Sequence, residues 1–291
     1  MSLDELIRSS EPLILDGAMG TELEKRKCGG GGLCNLTSPD TVLEIHKEYV
    51  RAGSRVLIAN TLTMNRLYIE THKLDIDVER VNQAGARLAA DAIQGNGYVL
   101  GNLSSTGQML EPYGTFLEDE FIDAFKEQAA CLVQAGVAGF IIETMIDLRE
   151  AVCAVKACKA VSALPVIACM AFFSRTDGGR TAMGNSAEEC ARVLAAEGAA
   201  AIGANCGSID PEQMAEIVAV MSKSTALPIV AEPNAGKPRL SGTATVFDMD
   251  PSKFADGLMA CRQAGARILG GCCGTTPHHI SEFTRQLKGM A

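Results

Sequence analysis

The segment Gly270-Gly271-Cys272-Cys273-Gly274-Thr275-Thr276-Pro277 follows the apolar run Ala266–Leu269 and sets two adjacent thiols on glycine-rich backbone at the end of a buried strand. Eleven cysteines in 291 residues give about 0.4 adjacent pairs by chance, so the position of the pair carries the signal and not its adjacency. A second strand end, Ala201-Ile202-Gly203-Ala204-Asn205-Cys206-Gly207, presents a third thiol in the same way. Three thiolates converging from two strand ends leave one position of a tetrahedral zinc site open. That is the pattern of a catalytic metal centre more than of a structural one.

Those thiols need a frame. Short apolar runs recur at 13–15, 56–59, 98–100, 140–142, 166–169, 200–202, 229–231 and 268–269. Each is followed by small or polar residues and, except the last, by a longer segment of helical period. Continuous apolar runs suit parallel strands buried on both faces. Helix starts are expected at Ser38-Pro39, Asp210-Pro211 and Asp250-Pro251, with a capping side chain before Pro at the first helical position, and at the Ser186/Glu189 capping box. Stops are expected at Gly53, Gly136, Gly198 and Gly265. Eight such units predict a single-domain (β/α)8 TIM barrel over residues 1–291, whose chemistry sits on the loops after the strands. An open doubly wound sheet is the competitor; the even spread of units and the lack of a phosphate fingerprint after the first strand favour the barrel.

Composition narrows the partners. A net charge of −9 without any basic run argues against nucleic acid. No apolar stretch reaches the ~18–20 residues of a membrane span. The acidic start Met1-Ser2-Leu3-Asp4-Glu5 lacks the pattern of a signal peptide, and an odd cysteine count fits a reducing compartment. A cytoplasmic protein is expected.

The expected barrel mouth carries Asp16-Gly17, Asn60-Thr61, Gly101-Asn102, Glu143-Thr144, Met170, Asn205-Cys206, Glu232-Pro233-Asn234 and Cys272-Cys273. With Asp16-Gly17-Ala18-Met19-Gly20-Thr21, Pro233-Asn234-Ala235-Gly236 and the segment 271–277, this set resembles the zinc-dependent homocysteine S-methyltransferase family along nearly the whole chain. It is most similar to the homocysteine module of cobalamin-dependent methionine synthase, through residues 16–21, Thr106-Gly107 with Glu111-Pro112, and Cys273-Gly274-Thr275. The sulfonium-using branch usually has Arg where this chain has Gly274.

The resemblance implies Zn2+ ligands at Cys206, Cys272 and Cys273. It implies homocysteine as substrate, with its amino group on Asp16 and Glu143. Its carboxylate is then expected on the backbone amides around Gly17 and Ala18 and on the hydroxyl of Thr61. Asn234 is implied as a displaceable fourth ligand. A thiol on such a metal is deprotonated at neutral pH and stays nucleophilic, so attack on an electrophilic methyl group gives a thioether. The reaction would serve methionine biosynthesis.

The methyl donor stays open at this point. The chain holds no Asp-x-His-x-x-Gly sequence for binding cobalamin itself. A methyl-corrinoid protein acting in trans, carrying methylcobalamin, is the expected donor. S-methylmethionine, S-adenosylmethionine or betaine are the alternatives, betaine weakened by the absence of Trp and the presence of only four Tyr. A non-catalytic zinc- or thiol-sensing barrel is a further alternative, disfavoured because Asp16 and Glu143 are both present. An aldolase-type Schiff-base barrel lacks a strand-end Lys.

Other reactive residues read as structural. Cys28, Cys34, Cys131, Cys153, Cys158, Cys169, Cys190 and Cys261 are expected to pack, with Cys28 and Cys34 a weaker candidate redox pair. His278 and His279 are expected on a helix leading away from the mouth. The glycine run 29–32 lacks the context of a phosphate cradle and reads as a mobile lid.

Overall fold

The computed structural model describes residues 1–174, 178–241 and 244–289. Eight parallel strands form the barrel: β1 (Leu13–Ile14), β2 (Val56–Ile58), β3 (Tyr98–Ser104), β4 (Gly139–Met145), β5 (Val166–Met170), β6 (Ala201–Asn205), β7 (Ile229–Glu232) and β10 (Ala266–Leu269). The order is β1-β10-β7-β6-β5-β4-β3-β2, so β6 and β10 flank β7. The seam between β1 and β2 is closed by the Arg55 N–H donating to Ile14 O at 2.9 Å and the Ile58 N–H donating to Asp16 Oδ2 at 3.1 Å. A side chain that sequence reading assigns to substrate therefore also helps to close the barrel.

Eight helices ring the strands: α4 (Pro39–Ala52), α6 (Val78–Ile93), α7 (Glu118–Gln134), α8 (Leu148–Val161), α9 (Ala187–Ala196), α10 (Pro211–Ser224), α11 (Pro251–Gln263) and α12 (Pro277–Lys288). Each packs on the next and α12 returns to α4. The single-domain (β/α)8 expectation holds. The glycine stops hold as well: Gly53, Gly136, Gly198 and Gly265 all have positive φ, the left-handed conformation that ends a helix at little cost in glycine. Asp210, Asp250 and Ser186 accept N-terminal amide bonds as expected. Ser38 does not; its hydroxyl makes no cap bond, and its non-helical backbone, φ −145°, separates α4 from the short α3 (Cys34–Thr37).

Three features were not expected. Helix α1 (Leu3–Arg8) caps the lower end of the barrel, its Leu3 and Ile7 packing with Leu13, Leu15, Val56, Leu100, Ile141, Ile167, Val230 and Ile268 in the interior. Two short helices, α2 (Gly20–Lys25) and α5 (Arg66–Thr71), sit in the connections after β1 and β2. An antiparallel hairpin, β8 (Arg239–Ser241) with β9 (Ala244–Val246), projects from the loop after β7. Several barrel strands also outrun their apolar stretches. β3 continues through Asn102 to Ser104, β4 through Glu143 to Met145 and β6 to Asn205. The polar residues expected on loops are therefore held on regular backbone. No helix among the described residues is long and apolar enough to cross a membrane.

Candidate metal centre and substrate cavity

The apolar interior ends one layer above Leu100 and Ile141, where side chains pointing into the barrel become polar. β6 ends in Asn205, and Cys206 follows in a left-handed conformation with φ +53°. Thr144 has the same backbone sign, with φ +59°. Left-handed non-glycine residues are strained and need bracing. Asn205 provides it: its Oδ1 accepts from the Thr144 N–H at 2.7 Å, and its Nδ2 donates to Thr144 Oγ1 at 2.9 Å and faces Cys272 Sγ at 3.8 Å.

Backbone bonds fix the other two thiols. The Cys272 N–H donates to Pro233 O and the Ala235 N–H to Cys273 O, both at 2.9 Å, while the Cys206 N–H donates to Glu232 O at 3.1 Å. The loops after β6, β7 and β10 are thereby stitched together. Cys206 Sγ lies 3.8 Å from Cys273 Sγ, and the sulfurs of Cys206, Cys272 and Cys273 all fall within 4.8 Å of one another. Among the described residues no other group of His, Cys, Asp or Glu is arranged this way. Hydrogen bonds from the Cys272 and Cys273 thiols hold Cys206 down at about 3, and the bonds to Cys206 push the other two up. Three half-buried soft donors this close suit a thiophilic divalent ion.

The thiols form one wall of a cavity of about 240 Å³, whose other walls include Gly17–Thr21 backbone, Gly31, Gly32, Ile58, Asn60, Asn102 and Glu143. Glu143 is 7% exposed. Burial pushes its pKa up to about 7, an Asn102 hydrogen bond opposes that, and charge on Cys206 adds to it. Asp16 is 2% exposed behind Gly17 and Ile58, and its Oδ1 has no hydrogen-bond partner among the described residues. Burial holds its pKa well above the carboxylate range, partly offset by the Ile58 bond and reinforced by Glu143. A cation placed beside these two buried carboxyl groups would favour their ionised forms.

Two expected substrate contacts are engaged within the protein in this structure. The Thr61 side chain is wholly buried, with Oγ1 donating to Asn102 O at 2.8 Å and accepting from the Asn102 N–H at 3.2 Å. Its hydroxyl is spent on the backbone, and Leu62 and Thr63 face the cavity instead. The Ala18 N–H donates to Thr275 Oγ1 at 2.9 Å, so that amide is taken as well. Gly17 has another role: a Cβ there would sit 2.7 Å from Thr275 Oγ1 and 2.8 Å from Tyr49 Cε1. Glycine at this position lets the β1 and β10 loops meet.

Asn234 is 1% exposed; its Nδ2 donates to Gly207 O at 2.9 Å and its Oδ1 is unpartnered among the described residues. His279 is structural, with Nδ1 beside Thr276 Oγ1 and Nε2 beside Met249 O, and His278 is exposed on α12. The glycine run 29–32, expected as a lid, contributes Gly31 and Gly32 to the cavity wall. Asn60 Nδ2 donates to Gly31 O, and Gly32 packs on Met64. Cys28 and Cys34 are both free thiols.

Two buried groups received no site role from the sequence reading. Glu232 is 0% exposed and neither of its carboxyl oxygens has a hydrogen-bond partner among the described residues; burial, Glu143 and Asp16 all raise its pKa. His46, on α4, is equally buried with Nδ1 3.8 Å from Asp16 Oδ2. Glu232 stood in view as a polar residue ending an apolar run. His46 gave no signal, since its helical spacing is that of a packing residue.

Comparison with known proteins agrees with this geometry. A family model described as homocysteine S-methyltransferase matches residues 13–287. The chain is similar to the metallated form of the homocysteine methyltransferase MmuM from Escherichia coli, at 24% identity and a TM-score of 0.78 over 97% of this chain and 98% of that one. The oxidized form of the same protein matches at 23% identity, 97% of each chain and a TM-score of 0.78. The carboxyl transferase domain of Rhizobium etli pyruvate carboxylase shares only the barrel, at 14% identity and a TM-score of 0.55 over 92% of this chain and 41% of that one.

Proposed function

The chain belongs to the homocysteine S-methyltransferase family and is a homocysteine methyltransferase; from that premise we propose that Cys206, Cys272 and Cys273 hold a zinc ion and that the methyl group comes from a methyl-corrinoid protein acting in trans. The observation that carries the metal assignment is the trio of sulfurs within 4.8 Å at the open end of the barrel.

When bound, zinc lowers the pKa of a coordinated thiol, so homocysteine is presented as a nucleophilic thiolate at neutral pH. The chain's own residues do the rest. Asn205 and the backbone bonds between loops fix the three sulfurs before substrate arrives, which limits the reorganisation that binding demands. Glu143 and Asp16 hold the α-ammonium and aim the thiol at the cysteines. With the Ala18 amide taken, the substrate carboxylate falls to Gly17 and the backbone of Met19, Gly20 and Thr21, all in the cavity wall. Asn234, whose Oδ1 has no partner among the described residues, would supply a weak, exchangeable oxygen ligand to the ion.

The reading of the donor rests on the mouth. Leu62, Met109, Tyr113, Phe173 and Leu240 are large apolar side chains exposed by 39–81%, and they sit on the connections after β2, β3, β5 and β7. Such a ring of exposed apolar groups suits a protein surface better than a small charged donor. Gly274 points the same way. A Cβ there would lie 2.2 Å from Phe247 Cβ, so the Arg usual in the sulfonium-using branch has no room.

Methionine formation from homocysteine, with methylcobalamin and S-methylmethionine compared in parallel, tests both parts. Turnover with methylcobalamin that chelation abolishes and zinc restores is expected. Turnover with S-methylmethionine alone overturns the donor, and turnover that survives complete metal removal overturns the zinc assignment.

A further inference from the structure

We propose that Asn102 determines specificity, as the third hydrogen-bond acceptor for the α-ammonium of homocysteine beside Asp16 and Glu143. The inference rests on the reading that those two carboxylates hold the amino group.

Asn102 lies on β3 two residues after Leu100, and so on the same inward face. It lines the cavity and is 5% exposed. Both of its backbone polar groups are occupied. Its N–H donates to Thr61 Oγ1, and its carbonyl accepts from Thr61 Oγ1 and, at 3.2 Å, from Gln128 Nε2. Its side-chain amide favours the ionised form of Glu143. Its Oδ1 is buried and without a partner among the described residues. A buried orphan acceptor costs free energy, and such groups in a cavity wall mark where a ligand donor belongs.

The stoichiometry fits a primary ammonium, which has three N–H donors and no acceptor. Asp16 offers Oδ1, because Ile58 takes Oδ2; Glu143 offers a carboxylate oxygen; Asn102 offers Oδ1. Of the other unpartnered buried groups, His46, Gln128, Glu232 and Asn234 do not line the cavity, while Asp16 lies behind its Gly17 and Ile58 wall. The clamp on the Asn102 backbone means that the acceptor is oriented in advance, and it gives Thr61 its purpose. A site built this way discriminates against thiols lacking the ammonium, because all three acceptors then stay unpaired.

Calorimetric binding to the zinc-loaded protein tests this, with homocysteine compared against 4-mercaptobutanoate, which keeps thiol and carboxylate but has no amino group. Asn102→Ala is expected to weaken homocysteine about tenfold, as for a lost hydrogen bond to a charged group, and to leave 4-mercaptobutanoate within about twofold. The loss is expected to persist when Asn102→Ala is added to Glu143→Gln. Equal weakening of both ligands overturns the proposal, as does a loss that vanishes in the Glu143→Gln background, since Asn102 then acts only through Glu143. If Asp16→Asn and Glu143→Gln both keep the full preference for homocysteine, the underlying reading of the ammonium site falls. If they lose it and Asn102→Ala does not, this inference alone falls. Should Asn102→Ala not fold, a crystal structure of the wild-type homocysteine complex decides: Oδ1 within ~3.2 Å of the amino nitrogen supports the proposal, and an amino nitrogen held elsewhere overturns it.

Discussion

His46 sits wholly buried behind Asp16, and burial holds its imidazole down at about 4 from an ordinary value of 6.5. The unfolded chain therefore takes up a proton near 6.5 that the folded chain refuses until about 4. Stability contributed by the neutral ring is complete above about 6.5 and is lost as pH falls through that window, by up to about 3 kcal/mol. Equilibrium unfolding of His46→Leu should show a shallower loss between pH 6.5 and 4 than the wild type; parallel curves would refute the assignment. His46 also marks the limit of residue-level reading. The thiols of Cys206, Cys272 and Cys273 were legible because cysteine ending an apolar run is unusual and its chemistry follows from its type. The surroundings of Thr61 and Ala18 were not legible, for the opposite reason. Residue type says that a hydroxyl or an amide can bind a carboxylate, but not that Asn102 and Thr275 have already claimed it. Asn102 itself was visible as a strand-end residue, yet its free acceptor emerges only once all its other bonds are placed.

At the scale of elements, two helices that begin alike in sequence begin differently in space. Asp210 caps α10 in a reciprocal box with Gln213, the Gln213 N–H donating at 2.9 Å and the Asp210 N–H bonding back at 3.2 Å. Ser38 precedes Pro39 in the same manner but makes no cap bond. Asp210→Ala should cost about 1 kcal/mol of stability in denaturant titration and Ser38→Ala only a few tenths; equal costs would contradict the difference in capping. The strands were legible in number, order and direction because each carries a continuous apolar run. Their lengths were not. β3, β4 and β6 extend into polar residues since the ladder to a neighbouring strand continues as long as that neighbour does, whatever faces the interior. Helix α1 and the β8–β9 hairpin were missed because a six-residue helix and two three-residue strands leave too short a period to detect.

For the whole molecule, the barrel brings together what the chain separates. Cys206 and the Cys272-Cys273 pair stand 66 and 67 residues apart, and they meet because β7 is the only strand between β6 and β10. The fold places polar side chains at one end of the interior and α1 at the other, so the cavity opens on one face. The central claim is that the three thiols form a metal site with a place for the substrate sulfur. Zinc K-edge absorption of the holoprotein, before and after homocysteine is added, tests it most directly. The account predicts three sulfur scatterers rising to four on adding homocysteine. Two or fewer sulfurs in the free protein, or a sulfur count that homocysteine leaves unchanged, would contradict it.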